Sequence, residues 1–414
     1  MAVIKPFCGV RPAPELAEKV VSLPYDVMDS EEARKITEQN PYSFLRVTKS
    51  EVDLDRTVDI HGPQVYEKAA ENLRRFIAEG ILRQDATPCF YIYKQKMGDH
   101  VQIGLVAGAS VAEYQQNIIK KHELTRHDKE LDRVNHITVT EAQTGAVFLT
   151  YQADPAINTL IASHMRTPVY DFITEDGIGH TLYVVSDEKA IADLEAAFQK
   201  VPVMYIADGH HRSAAAARVA KTWRERNGAA DGTEAERFLA VIFPHDMMYI
   251  MDYNRVVADL NGFTPEAFLQ AIKEKFDVAE YADGACKPQA AHTFGMYLNT
   301  GKWYALTAKA AIIPVDNPVE SLDVSILQAR VLQPLLGIED PRTDKRIHFV
   351  GGIRGMAELE RLVDSGKFAV AFSMFPTSIT ELMAIADAGQ IMPPKSTWFE
   401  PKLRDAMVIH TIAR

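Results

Sequence analysis

The densest chemistry in the sequence is the run Asp208-Gly209-His210-His211-Arg212. It follows the mostly apolar Pro202-Val203-Met204-Tyr205-Ile206 and precedes Ser213 and four alanines. The apolar run reads as a buried strand, and Asp208-Gly209 as a tight turn, because glycine tolerates unusual backbone angles. The alanines then propagate a helix. A glycine turn feeding a helix leaves backbone N–H groups unpaired at a terminus with partial positive charge, a ready site for phosphate. Gly209 lets an anion approach the backbone. His210, His211 and Arg212 add side-chain donors, and Arg212 can fork onto phosphate oxygens. Asp208 has two compatible readings: an N-cap, or a magnesium ligand or general base near a transferred phosphoryl group. His210 and His211 are adjacent, do not share a helix face, and are not expected to chelate one metal together.

A second charged stretch spans 120–136. It reads either as a solvated helix, with pairs such as Glu123 with His127, or as a loop and helix flanking a substrate. In the second reading Lys121, His122, Glu123, Arg126 and Arg133 are candidates, and Glu123 is a candidate base. Near the N-terminus, Phe7-Cys8-Gly9-Val10-Arg11-Pro12 and Pro24-Tyr25-Asp26-Val27 are explained by turn chemistry or form a nucleotide rim. Arg11 would then reach the nucleotide, and Asp26 would be a base or metal ligand. Arg255 pairs either a phosphate or a surface acid. Gly351-Gly352-Ile353-Arg354-Gly355 reads as a plain strand-to-helix turn or as an anion site at a helix terminus, and lacks the spacing of a Walker loop. Met392-Pro393-Pro394-Lys395-Ser396-Thr397 is stiffened by its prolines, and presents Lys395 for docking or for phosphate.

These residues need elements to position them, and the chain alternates strands and helices. Strands are expected at 44–47, 90–93, 101–111, 146–151, 169–173, 180–185 and 202–206. Helices are expected from Ser30 as N-cap, over 63–80, 187–200 and from 210. Gly228–Gly232 reads as a flexible loop. Further α/β units follow to the Pro-rich tail, and a boundary is placed near 260, giving domains 1–260 and 261–414. The 414 residues carry 45 Lys and Arg against 56 Asp and Glu, a net charge of −11. That balance disfavours duplex nucleic acid, which needs many cationic contacts. The three cysteines, Cys8, Cys89 and Cys286, are scattered with no zinc-ligand spacing, as free thiols in a reducing cytoplasm would be. No signal-like stretch or apolar run of about 18 residues appears, so no membrane association is expected.

The pentapeptide between an apolar strand and an alanine-rich helix resembles the signature of the free serine kinases of the ParB/sulfiredoxin superfamily. Over its length, the chain is similar to a bacterial and archaeal family numbered 1015 among domains of unknown function. That similarity is carried by Phe7–Pro12, Pro24–Val27, Tyr205–Arg212, Tyr253-Asn254-Arg255-Val256-Val257 and Met392–Thr397. The resemblance implies a mixed α/β, ParB/sulfiredoxin-like core with insertions, followed by a C-terminal α/β region. It implies a nucleotide-dependent phosphotransferase acting on free serine or a similar small metabolite; with the readings above, a cytoplasmic enzyme using ADP or ATP with Mg2+ is expected. The partners would be that substrate, the nucleotide and, at most, a second copy in a homodimer. Asp208, Gly209, His210, His211 and Arg212 carry over from the motif; the serine kinases' glutamate base does not, which leaves Glu123 and Asp26 as candidates. A phosphatase and a non-enzymatic nucleotide switch are the alternatives. Sulfiredoxin chemistry needs a cysteine that this loop lacks.

Overall fold

The computed structural model describes residues 2–228 and 233–412. The chain forms two compact units, Met1–Met248 with Pro401–Arg414, and Tyr249–Glu400. The sequence reading placed a boundary near 260. The difference arises because residues 249–257 pair only with strands of the second unit. Strand pairing of this kind leaves no linker or composition change in the sequence.

The first unit is built on a mixed sheet of nine strands among the described residues. They are β1 (Ile4–Lys5), β2 (Phe90–Met97), β3 (His100–Ser110), β4 (Ile119–Lys120), β5 (Val147–Tyr151), β6 (Tyr170–Ile173), β7 (Gly179–Val185), β8 (Met204–Asp208) and β9 (Arg237–Pro244). Their order is β4-β8-β5-β9-β3-β2-β7-β6, with β1 on β3. The β4–β8 and β5–β9 pairs are parallel, and the others are antiparallel. Gly98, at φ +58, closes the two-residue turn from β2 to β3, as a tight hairpin requires. β5 is buried on both faces, which accounts for its unbroken apolar run.

Three helices matter for the site: α1 (Pro63–Ala78), α2 (His127–Thr140) and α3 (His210–Asn227). α3 is wedged by its small residues. Ala216, Ala217 and Ala220 join the core of the sheet, while Ala215 and Val219 meet Ile137 of α2. The alanine run therefore does more than favour helix: it lets α3 approach two layers at once.

The second unit has a six-stranded antiparallel-paired sheet. Its strands are β10 (Tyr253–Val257), β11 (Phe276–Tyr281), β12 (Thr293–Leu298), β13 (Lys302–Ala308), β14 (Ile347–Gly351) and β15 (Val370–Met374), in the order β11-β13-β12-β15-β10-β14. The helix Met356–Asp364 joins β14 to β15 across β10 and buries Leu359 and Val363 in that unit's core.

Three local expectations change. Residues 45–48 are a short helix and not a strand; Phe44 and Val47 pack in one core cluster with Leu73 and Phe76 of α1. The first long helix is capped by Asp29 and not by Ser30, in a capping box with Glu32; Ser30 instead donates to Glu51 Oε1 at 2.7 Å. Most of the loop expected at 228–232 lies outside the described residues.

Gly104 of β3 sits where a Cβ would come within 2.7 Å of Val241 Cγ1 and 2.8 Å of the Phe243 ring. Phe243 is fully buried and cannot yield. Gly104→Ala is expected to destabilise the protein by about 1–3 kcal/mol, the usual cost of overpacking, read as a lowered midpoint in urea unfolding.

Candidate functional site

The site begins with the parallel pair β4–β8, whose register is Met204↔Ile119 and Tyr205↔Lys120. Parallel strands end on the same side of a sheet. The segment 121–126 leaving β4 and the turn leaving β8 are thereby held side by side, in the position where ligands collect in α/β sheets. A register shift between Ile206 and Asp208 against β5 redirects Asp208, as bulges do beside functional sites.

Gly209 is the N-cap of α3, with φ +97. A Cβ there would meet Val147 Cα at 3.3 Å and Arg212 Nε at 3.4 Å, so both backbone angle and space call for glycine. Asp208 is not the N-cap: its Oδ1 accepts the Gly209 N–H at 2.8 Å. No side chain caps α3, so its first-turn N–H groups and the positive end of the helix remain available to an anion.

Charge is balanced locally. Asp208 Oδ2 lies 3.4 Å from Lys402 Nζ and 3.9 Å from Arg212 Nη2. Burial pushes the Asp208 carboxyl up, but the Lys402 and Arg212 cations outweigh it and hold it well below the usual carboxylate range. Arg212 Nη2 also lies 4.0 Å from Asp26 Oδ2, and Nη1 donates to the Ala146 carbonyl. Burial opposes the charge on Arg212, and Asp208 and Asp26 restore it. The fork expected to reach phosphate is thus engaged by protein groups. The Asp208 carboxylate, facing two cations, also suits orienting them better than ligating Mg2+, which takes oxygen ligands and keeps its waters. The donor set around α3 fits nucleotide phosphates; it does not fit a magnesium ion held on Asp208.

Of the two readings of 120–136, the loop followed by a helix is the one observed: Lys120 ends β4, residues 121–126 form a loop, and α2 begins at His127. His122 and His210 are buried at 2% and 4% exposure, with their rings edge to face at 4.4 Å. Burial pushes His122 down to about 4, and burial with the neighbouring His122 pushes His210 well down too. Both rings are therefore neutral at pH 7. Glu123 Oε2 is 3.8 Å from His210 Nδ1. His211 turns the other way and accepts the Arg126 N–H at Nε2, 3.0 Å away.

The structure thus brings Asp208, Gly209, His210, Arg212, Glu123 and Asp26 together. Arg11 is held elsewhere, in a two-pronged pair with Asp85 at 2.7–3.1 Å. Lys395 belongs to the second unit, with Nζ 5.7 Å from the centre of the Tyr253 ring. Sequence reasoning missed Lys402 and Asp405. Both come from the last 14 residues of the first unit, and nothing local marks them, since Lys402 meets its partner 194 residues away. Asp405 lines a cavity with Tyr25, Arg133, His136, Gly145 and Arg212. Its Oδ2 has no hydrogen-bond partner among the described residues.

The family model described as a protein of unknown function, DUF1015, matches residues 4–325. The chain belongs to this family. No match was found among curated proteins. Among solved structures, the chain is similar to a free serine kinase in complex with AMP, at 14% identity over 72% of this chain and 86% of that one, with a TM-score of 0.35. A free serine kinase mutant in complex with ADP matches at 14% identity over 73% and 88%, TM-score 0.34. SbnI with a C-terminal truncation, from Staphylococcus aureus, matches at 10% identity over 72% and 85%, TM-score 0.36. These likenesses are distant. No helix among the described residues is long and apolar enough to cross a membrane.

Burial pushes the Asp405 carboxyl up to about 7; Arg212 opposes that, Asp26 adds to it, and Arg133 and Arg404 oppose it. A raised carboxyl binds its proton more tightly in the folded state. Its stabilisation is therefore complete below the unfolded value near 4 and is lost as pH rises towards 7. Melting temperatures from pH 4 to 8 should show this fall in the wild type. Asp405→Asn should flatten it, and an unchanged slope in the variant would refute the assignment.

Proposed function

We propose that the protein is a nucleotide-dependent phosphotransferase acting on a small hydroxyl metabolite, with free serine as the first candidate. The observation that carries this reading is the uncapped N-terminus of α3 at Gly209, with the Glu123 carboxylate 3.8 Å from His210 beside it. The pentapeptide's resemblance to the free serine kinases names the acceptor class.

A bound nucleotide supplies the transferable phosphoryl group. The first-turn N–H groups of α3 hold phosphate oxygens, and Gly209 leaves room for them. Arg212, more than nine-tenths buried, contributes charge from behind the turn. Lys402 and Arg212 neutralise Asp208, which would otherwise repel an incoming anion. Glu123, whose side chain is 43% exposed, can meet a substrate hydroxyl from solvent. It accepts the hydroxyl proton as the new O–P bond forms and the nucleotide leaves. His210 Nδ1 borders that carboxylate at 3.8 Å. Phosphoryl transfer is mostly positioning and electrostatic stabilisation, so this set suffices in kind.

Phosphorus NMR of the full chain with ADP or ATP, Mg2+ and serine should show phosphoserine. Glu123→Gln should lower kcat by about 100- to 10,000-fold, the span of general base catalysis, while calorimetric nucleotide affinity stays within about twofold. Nucleotide binding without turnover on serine or other small hydroxyl metabolites would overturn the kinase reading.

A further inference from the structure

The two parallel strand ends bring together a second chemistry that phosphate binding does not use. His122, Glu123 and His210 each offer a ligand atom, and these atoms lie within 4.8 Å of one another. We infer that they form a binding site for a borderline divalent transition-metal ion of the zinc class.

The arrangement of His122 points to this. Its ring is hydrogen-bonded to the Ile206 backbone carbonyl. Its Nδ1 is buried and has no hydrogen-bond partner among the described residues. A buried, unpaired ring nitrogen is costly in a folded protein. An imidazole oriented by a backbone carbonyl, with its other nitrogen left open, is the usual setting of a metal-bound histidine. The second ligand, His210, presents Nδ1 at 3.8 Å from Glu123 Oε2. That is too long for a hydrogen bond, and it is within about 0.5 Å of the roughly 3.3 Å that separates two ligand atoms each about 2 Å from one tetrahedral ion. The Glu123 side chain is the half-exposed member of the three. The nearest competing bond to His210, from the His122 N–H to Nε2, is long at 3.5 Å.

The donor set selects the ion. Two imidazoles and one carboxylate suit zinc, cobalt and their neighbours, whereas magnesium and calcium take oxygen ligands. Three protein ligands leave a tetrahedral ion one open position. For the phosphotransferase reading there is one consequence, which rests on that reading. A Glu123 carboxylate that ligates a metal cannot accept a hydroxyl proton, so such an ion inhibits turnover.

The test uses tag-free full-length protein stripped with a chelator and titrated with Co2+ alone, without nucleotide or serine. One equivalent should produce visible ligand-field absorption, abolished by one equivalent of Zn2+ and unaffected by millimolar Mg2+. His122→Gln and Glu123→Gln should each weaken Co2+ binding by more than about 100-fold, since even outer-shell changes cost 10- to 100-fold. His122 is buried, so its variant counts only if its circular dichroism melt is native-like; the half-exposed Glu123 variant decides otherwise. Absence of the absorption, or folded variants that bind as tightly as wild type, would overturn the site. In turnover assays, Zn2+ should inhibit phosphoserine formation and a chelator should restore it. A protein that binds Co2+ as described but never forms phosphoserine would sink the kinase reading and leave the metal site standing.

Discussion

The short parallel pairing of β4 with β8 is the constraint on which the site depends. Only Ile119 and Lys120 pair with Met204 and Tyr205, yet this fixes two loops that are more than 80 residues apart in sequence. Had β4 joined β8 antiparallel, residues 121–126 would leave the opposite end of the sheet. Glu123 and His122 would then be separated from the α3 terminus by the length of the strand. The alanine face of α3 reinforces the pairing, because it seats the helix against both the sheet and α2. The N-terminus of α3 cannot tilt away without opening both contacts.

Electrostatics then act on that frame. A chain of net charge −11 repels anions at long range, so attraction must be local. The local supply is a helix terminus, Arg212, and a lysine delivered from the chain's last segment. Asp208 looks misplaced beside an anion site until Lys402 is seen. Once paired, it becomes the group that fixes two cations in place, and the net charge of the trio Asp208, Lys402 and Arg212 is positive. Screening by salt is weak at such distances when the groups are mostly buried.

The parts of this site that depend on neighbours in sequence were legible there. The strand, glycine turn and alanine helix at 202–227 follow from composition alone, and Gly209 sits in the left-handed region that the turn demanded. Glu123 stood out because it lies in a dense run of charge just after a strand. The capping role of Asp208 was misread because the turn places glycine itself at the cap, one position later. Lys402, Asp405 and the His122–His210 contact were not legible, since each is a meeting of distant segments set by strand order. Of the two readings of the charges at 120–136, the solvated face fails over the helix, where Asp132, Arg133 and His136 are buried. Arg133 lies over the Tyr25 ring at 3.8 Å and is paired with Asp132 at Nε, 2.7 Å away. The segments that bury these groups, such as the one carrying Tyr25, lie far off in sequence and leave no mark on the helix's own pattern.

The second unit shows how differently a buried cation can be accommodated. Arg255 is 3% exposed and, among the described residues, has no carboxylate partner. Its Nη1 donates to the Tyr253 carbonyl and its Nη2 to the Lys395 carbonyl at 2.9 Å. Burial pulls its guanidinium down to about 10, the opposite of Arg212, where acids keep the charge. Two carbonyl oxygens accept from it and its Cζ lies 5.4 Å from the centre of the Phe349 ring, but neither carries a full negative charge to offset the cost of burial. What that cost secures is the turn at 393–397. Arg255 ties down Lys395, which adopts φ +59, Thr377 Oγ1 ties down the Ser396 carbonyl at 2.9 Å, and Ser396 Oγ closes back on Pro393 at 2.6 Å. The prolines alone would stiffen this segment without fixing its direction. With the guanidinium beneath it, the orientation of Lys395-Ser396-Thr397 is set by the sheet that carries Arg255, which neither phosphate pairing nor a surface acid would have achieved.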